Sequence, residues 1–154
     1  FSGSRIGGEG FGFAIKDNKF LKIPQIGRVI INDNVEIGCN VTIDRGSSGD
    51  TLIDDNCMID NMVHIGHNVV IGKNCIIAGM AGFSGSTKLG NNVMVGGQAG
   101  FSGHLNIGEN SKIAAGSGVI KDVKANQSVG GYPAQPILDW HKSFIKIKKL
   151  IRDV

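Results

Sequence analysis

From Ile53 onward an apolar residue returns every six positions without a slip: Ile53, Ile59, Ile65, Ile71, Ile77, Phe83, Leu89, Val95, Phe101, Ile107, Ile113 and Val119. Ile31, Ile37 and Ile43 carry the same spacing upstream, and four extra residues are inserted around Gly49–Leu52. An amphipathic helix needs apolar residues three and four apart, and hairpin sheets have irregular turns. A strict period of six fits neither. It is the mark of a parallel β-helix, in which each hexad is a short strand plus a corner.

The other places of the hexad agree. The fifth is small or β-branched, as at Val41, Cys57, Val63, Val69, Cys75, Ala81 and Val93. The fourth is Asn in seven hexads: Asn34, Asn40, Asn56, Asn68, Asn74, Asn92 and Asn110. Asn tolerates the left-handed backbone that a tight corner needs. Places one and five therefore point inward. Three hexads make a triangular coil of 18 residues, so the fifteen hexads predict an all-β solenoid of about five coils. Residues 18 apart stack at about the strand spacing, ~4.8 Å. Phe83 and Phe101 then stack inside, as do Cys57 and Cys75, while Cys39 falls at an outward third place and is expected to be exposed.

The β-helix is expected over residues 1–130, with Ile6-Gly7 a stray hexad and Lys16–Lys22 a polar excursion. Residues 131–154 read as a C-terminal extension. There Ile137, Trp140, Phe144, Ile147 and Ile151 fall on one stripe of an amphipathic helix. That stripe reads as a packing or subunit seam rather than a membrane anchor.

Charge is concentrated in the tail. The net charge is +3, yet residues 1–138 balance, and all of the excess comes from Lys142, Lys146, Lys148, Lys149 and Arg152 against Asp139 and Asp153. A nucleic-acid binder would carry its basic face on the folded body. A short basic tail suits an acidic protein partner or simple solubility. Three cysteines without CxxC spacing argue against a disulfide framework or a zinc site. No apolar run is long enough to span a membrane. The chain starts at Phe1 rather than Met and is expected to be part of a longer protein.

Of the four histidines, His141 lies in the tail and is expected at the surface, and His64 stands at an outward sixth place. His67 occupies a third place, facing out from a corner. The residues 18 and 36 later are Gly85 and Gly103. The imidazole thus faces a column without side chains, which makes a cleft, and a bare Gly85 N–H lies about one coil away. A base beside an exposed N–H is the minimum kit for acyl transfer: one takes the proton of the attacking group and the other holds the oxyanion. The rival is a metal site like that of the gamma-class carbonic anhydrases. It needs histidines in matched columns, whereas His67 and His104 are 37 residues apart, in different ones.

Several stretches together resemble one family: GEGFGFA (residues 8–14), KIPQIGRV (22–29), VTIDRGS (41–47), IDNMVHIGHNVVIG (59–72), GFSGST (82–87), GGQAGFSGHLNIG (96–108) and GYPAQP (131–136). The resemblance is to the UDP-3-O-(3-hydroxyacyl)glucosamine N-acyltransferases of bacterial lipid A synthesis, without their N-terminal uridine-binding domain. It implies a left-handed winding and a homotrimer with active sites between subunits, working in the bacterial cytoplasm. The reaction it implies moves a (3R)-3-hydroxyacyl chain from the phosphopantetheine of acyl carrier protein to the 2-amino group of UDP-3-O-acylglucosamine. No further cofactor and no metal is implied. The family's general base falls on His67, its nearby carboxylate on Asp60 and its oxyanion donor on the Gly85 amide. His104 matches a histidine contacting the acceptor and donor region, and Asn68 follows the base and shapes the site. His64 departs from the family, which usually has Gln there. The alternatives are the O-acyltransferase relative, which has Asp after the base, and a non-catalytic β-helix scaffold.

Overall fold

The computed structural model describes residues 1–152, and side chains as far as Ile151. The C-terminal extension expected to reach residue 154 is thus described to 152, and Asp153 lies outside the described residues. Short strands of two to four residues stack into three parallel sheets, one per side of the triangle. The first contains Arg5–Gly8, Thr42–Asp44, His64–Ile65, Gly82–Phe83, Gly100–Phe101 and Gly118–Val119. The second begins at Val29–Ile31 and ends at Asn106–Ile107. The third runs from Glu36–Ile37 to Ser128–Gly130, with Gln135–Pro136 added antiparallel. The solenoid is left-handed and has about six turns.

That is one turn more than the hexad count predicts. Arg5–Gly8 pairs with Thr42–Asp44, so Ile6-Gly7 belongs to the first coil and is not stray. Its period is hidden because the chain leaves the coil to make the hairpin Phe13–Lys16/Lys19–Lys22 before returning. The register records both irregularities. It is 22 residues across the insertion (Thr42 against His64), 18 through the body (Gly82 against Gly100), and 16 at the last coil (Lys112 against Ser128).

Inward places behave as predicted. Val41, Ile43, Ile53, Cys57, Val63, Ile65, Val69, Ile71, Cys75 and Phe83 are fully buried. Phe83 stacks on Phe101 with ring centroids 4.6 Å apart. Cys39 is half-buried rather than exposed. At the fourth place the backbone is left-handed whatever the residue: Asn56, Asn74 and Asn92, but also Met62, Met80, Ser86, Gln98 and His104, with φ of 57–63°. The corner geometry is imposed by the coil, and Asn is the residue that takes it at least cost. Where Asn does recur, its side chains form a ladder, Asn56 to Asn74 to Asn92 to Asn110 to Asn126, at 2.8–3.2 Å.

The helix Ile137–Arg152 follows. Trp140 sits over Gly131 and stacks on Phe144, and Ile137 packs on Gly130. The rest of the stripe, Phe144, Ile147 and Ile151, is exposed, as is His141. No helix among the described residues is long and apolar enough to cross a membrane.

Because Phe83 is fully buried against Phe101 in a close-packed column, Phe83→Ala is expected to cost about 3–5 kcal/mol. Chemical denaturation measures it, and a loss below about 1 kcal/mol would contradict this packing.

Candidate active site

His67, Gly85 and Gly103 do form one column. A Cβ built on Gly85 would fall 2.5 Å from both Cε1 and Nε2 of His67, so the imidazole lies directly across this glycine. Where the residue one coil above is Asn, its side chain caps the third-place amide beneath it. Lys73 N–H donates to Asn91 Oδ1 at 2.9 Å, and Cys39 N–H to Asn61 Oδ1 at 2.7 Å. The residue one coil above Gly85 is Gly103, which has nothing to offer. Among the described residues none accepts a hydrogen bond from Gly85 N–H. The glycine column thus opens a cleft and also leaves a donor free inside it.

The hydrogen bonds around Asn68 decide which His67 nitrogen can accept a proton. Asn68 Oδ1 accepts from Ser47 N–H at 2.9 Å and from Ser47 Oγ at 2.8 Å. A backbone N–H can only donate, so the carboxamide oxygen faces it. The same oxygen lies 3.0 Å from His67 Nδ1. Nδ1 must therefore carry the proton, and Nε2, facing Gly85, keeps its lone pair. Asn68 is held in turn by its own N–H on Thr51 Oγ1 at 2.9 Å. Ser47 precedes the four-residue insertion and Thr51 lies within it, so the one break in the hexad series builds the support of His67.

The cleft opens into a groove of about 700 Å³. Its floor is a second glycine track, Gly82, Gly100 and Gly118, in register above His64. Tyr132 lies over Gly118 at one end, and Phe11 lines the groove from the N-terminal loop. Gly10 of that loop packs against His67, where a Cβ would come within 2.7 Å of the histidine Cβ, and buried Gln25 lies behind it.

Two of the predicted side chains line other grooves. Asp60 accepts from Gly79 N–H at 3.1 Å and Asn61 Nδ2 at 2.8 Å, in a separate groove with Phe1, Glu36, Met58 and Ile76. His104 stands in the fourth-place column of Asn68 and Ser86 and lines another groove with Asp50, Lys88 and Asn106. His67, Gly85 and Asn68 are together; within one chain Asp60 stands apart from them, while His104 donates its backbone N–H to Gly85 O at 3.0 Å and its side chain shares a groove with Asn68 rather than with His67.

The carboxylate that does share the groove is Asp44, which sequence reasoning missed. Its side chain is 15% exposed and lies 3.8 Å from His64 Nε2, while His64 Nδ1 is 2.8 Å from Thr42 Oγ1. Burial pushes the Asp44 carboxyl above its usual range, with His64 and His67 pulling it partly back. The signal was the column: with the register of 22, Asp44 ends the strand directly beneath His64-Ile65.

The repeat and the fold find matches among known proteins. Residues 50–85 match the family model of the bacterial transferase hexapeptide (six repeats). Over 150 residues the chain is 60% identical to the UDP-3-O-acylglucosamine N-acyltransferase of Parvibaculum lavamentivorans, covering 97% of the chain and 42% of that protein. It is 51% identical over 148 residues to the enzyme of that name from Methylobacterium sp., covering 96% of the chain and 42% of the relative. Among solved structures, the UDP-N-acetylglucosamine O-acyltransferase of Moraxella catarrhalis superposes with a TM-score of 0.76 at 30% identity, over 87% of this chain and 51% of that one. The UDP-N-acetylglucosamine acyltransferase of Arabidopsis gives 0.77 at 27% identity, over 86% of this chain and 45% of that one. The fold and the repeat define a hexapeptide-repeat transferase. Within that class the chain belongs to the UDP-3-O-acylglucosamine N-acyltransferase family. It spans less than half the length of these relatives.

Two outcomes follow. Gly85→Ala, whose Cβ would overlap the imidazole, is expected to lower turnover by about 10²-fold or more with circular dichroism unchanged. A rate within a few-fold of wild type would contradict the contact. Because its folded pKa is raised, charged Asp44 opposes folding once pH exceeds its unfolded value, and the penalty is complete above the folded value. Asp44→Asn should therefore melt at or above the wild-type temperature at pH 7. That advantage should shrink as the pH falls to about 3, where both side chains are neutral.

Proposed function

We propose that this chain is the acyl-transfer portion of an enzyme that moves a (3R)-3-hydroxyacyl chain from acyl carrier protein to the 2-amino group of UDP-3-O-acylglucosamine. One observation carries the reading: His67 Nε2, left unprotonated by the Asn68 contact, faces an amide with no acceptor across a column without side chains. The amine nitrogen attacks the thioester carbonyl while Nε2 takes its proton. The Gly85 N–H holds the oxyanion, and the C–S bond breaks as the proton passes to sulfur. No covalent acyl-enzyme is needed.

The working unit is a homotrimer. Met58, Ile76 and Met94 stack in register as an apolar ridge, each 40–49% exposed, with Met62 and Met80 beside it. Such a ridge is what a second copy would cover. The groove of Asp60 borders it, so Asp60 reaches the base of a neighbouring subunit rather than its own. His104 contacts the acceptor and donor region from its own groove. The lysines of the C-terminal helix receive acidic acyl carrier protein, and the reaction takes place in the bacterial cytoplasm.

The test uses the full-length protein, with hydroxyacyl-acyl carrier protein and UDP-3-O-acylglucosamine, monitoring amide formation. His67→Ala is expected to leave the oligomer intact and lower turnover by about 10²-fold or more. Transfer to the hydroxyl of UDP-GlcNAc by the wild type, and none to the amine, would assign the chain instead to the O-acyl chemistry of its structural relatives.

A further inference from the structure

One group in the His67 groove has no part in this chemistry. Asp44 lies on the groove wall with His64 and His67, 15% exposed. Among the described residues nothing donates a hydrogen bond to its carboxylate, and His64 Nε2, the ionic partner, is 3.8 Å away. Its backbone carbonyl accepts from Thr51 Oγ1, but the carboxylate itself holds nothing. A carboxylate this buried and this poorly satisfied is costly to keep. What it lacks is a cationic donor, and the groove is open to supply one.

We propose that Asp44 is the docking group for the protonated amine of the acceptor, and that it sets the preference for an amine over a hydroxyl at this site. The proposal rests on the acyl-transfer reading above. A primary ammonium brings a full charge and three N–H donors, and its bond to a carboxylate is charge-assisted; a hydroxyl brings one neutral donor. The surroundings leave Asp44 as the anion available for this. Arg45, next in sequence, turns away to donate from Nε to Gly7 O at 2.8 Å. Glu9, across the small groove that Asp44 and His64 share, is neutralised by its ion pair with Lys22. His64 and His67 are the remaining titratable groups on the carboxylate.

The protons balance. The bound ammonium carries one proton more than the attacking amine, and this one leaves to solvent past half-exposed His64. The second goes to His67 Nε2 as the C–N bond forms and then to the departing sulfur as C–S breaks. The products are the amide, the free thiol and one proton released.

The experiment compares binding of UDP-3-O-acylglucosamine with that of its 2-hydroxy analogue, by calorimetry on the full-length protein, for wild type, Asp44→Asn and Asp44→Glu. Wild type is expected to favour the amine by about tenfold or more, and this preference should fade as pH rises through the amine's own pKa. Asp44→Asn should lose the preference while binding the hydroxy analogue as before, and Asp44→Glu should recover part of it. A preference that survives in Asp44→Asn overturns the proposal, as does a uniform loss of affinity for both ligands. A wild type that binds both ligands but transfers to neither overturns the acyl-transfer reading and, with it, the role of the docked amine.

Discussion

The backbone hydrogen bonds between successive coils are the constraint on which the rest depends. Gly66 N–H donates to Phe83 O, Ser86 N–H to His67 O and His104 N–H to Gly85 O, at 2.9–3.0 Å. Each bond fixes a residue above the one 18 places earlier. A sequence choice is thereby converted into a height on the solenoid. Leaving out the side chains at 85 and 103 removes material directly above one imidazole and nowhere else. In an ordinary sheet, a slip of one residue would turn the site inward; here the buried Phe83–Phe101 and Cys57–Cys75 columns hold the register against it.

On that rigid frame the irregular pieces carry the chemistry. The four-residue insertion breaks the period at the one corner where Ser47 and Thr51 are needed to hold Asn68. The N-terminal loop lays Gly10 on the imidazole, and Phe11 borders the groove. Asp44 is held there although burial opposes its charge. A group that costs stability and satisfies no neighbour is a sign of function rather than of folding.

The fold was legible in the hexads because the period is long, strict and exclusive of other architectures. The missing first turn was not, since the excursion through the Phe13–Lys22 hairpin displaces Ile6 from any count by six. At the site, His67, Gly85 and Asn68 could be brought together by counting in eighteens. Asp44 could not, because the insertion changes the count to 22 at that point. Asp60 and His104 were assigned by resemblance alone, and within a single chain they face other grooves. Sequence spacing speaks of one chain's columns and is silent about what a neighbouring copy brings. The role of Asn68 also lay beyond the sequence: only the Ser47 N–H fixes which end of its amide faces the histidine.

The central claim is that His67 offers an unprotonated Nε2 to the cleft. Nitrogen-15 spectroscopy of the histidine side chains, with His67 assigned by comparison with His67→Gln, measures this directly at a pH where the ring is neutral. The account predicts a protonated Nδ1 and a bare Nε2, and the reverse tautomer once Asn68 is replaced by an unpaired Lys-type donor. A proton found on Nε2 in the wild type would contradict it.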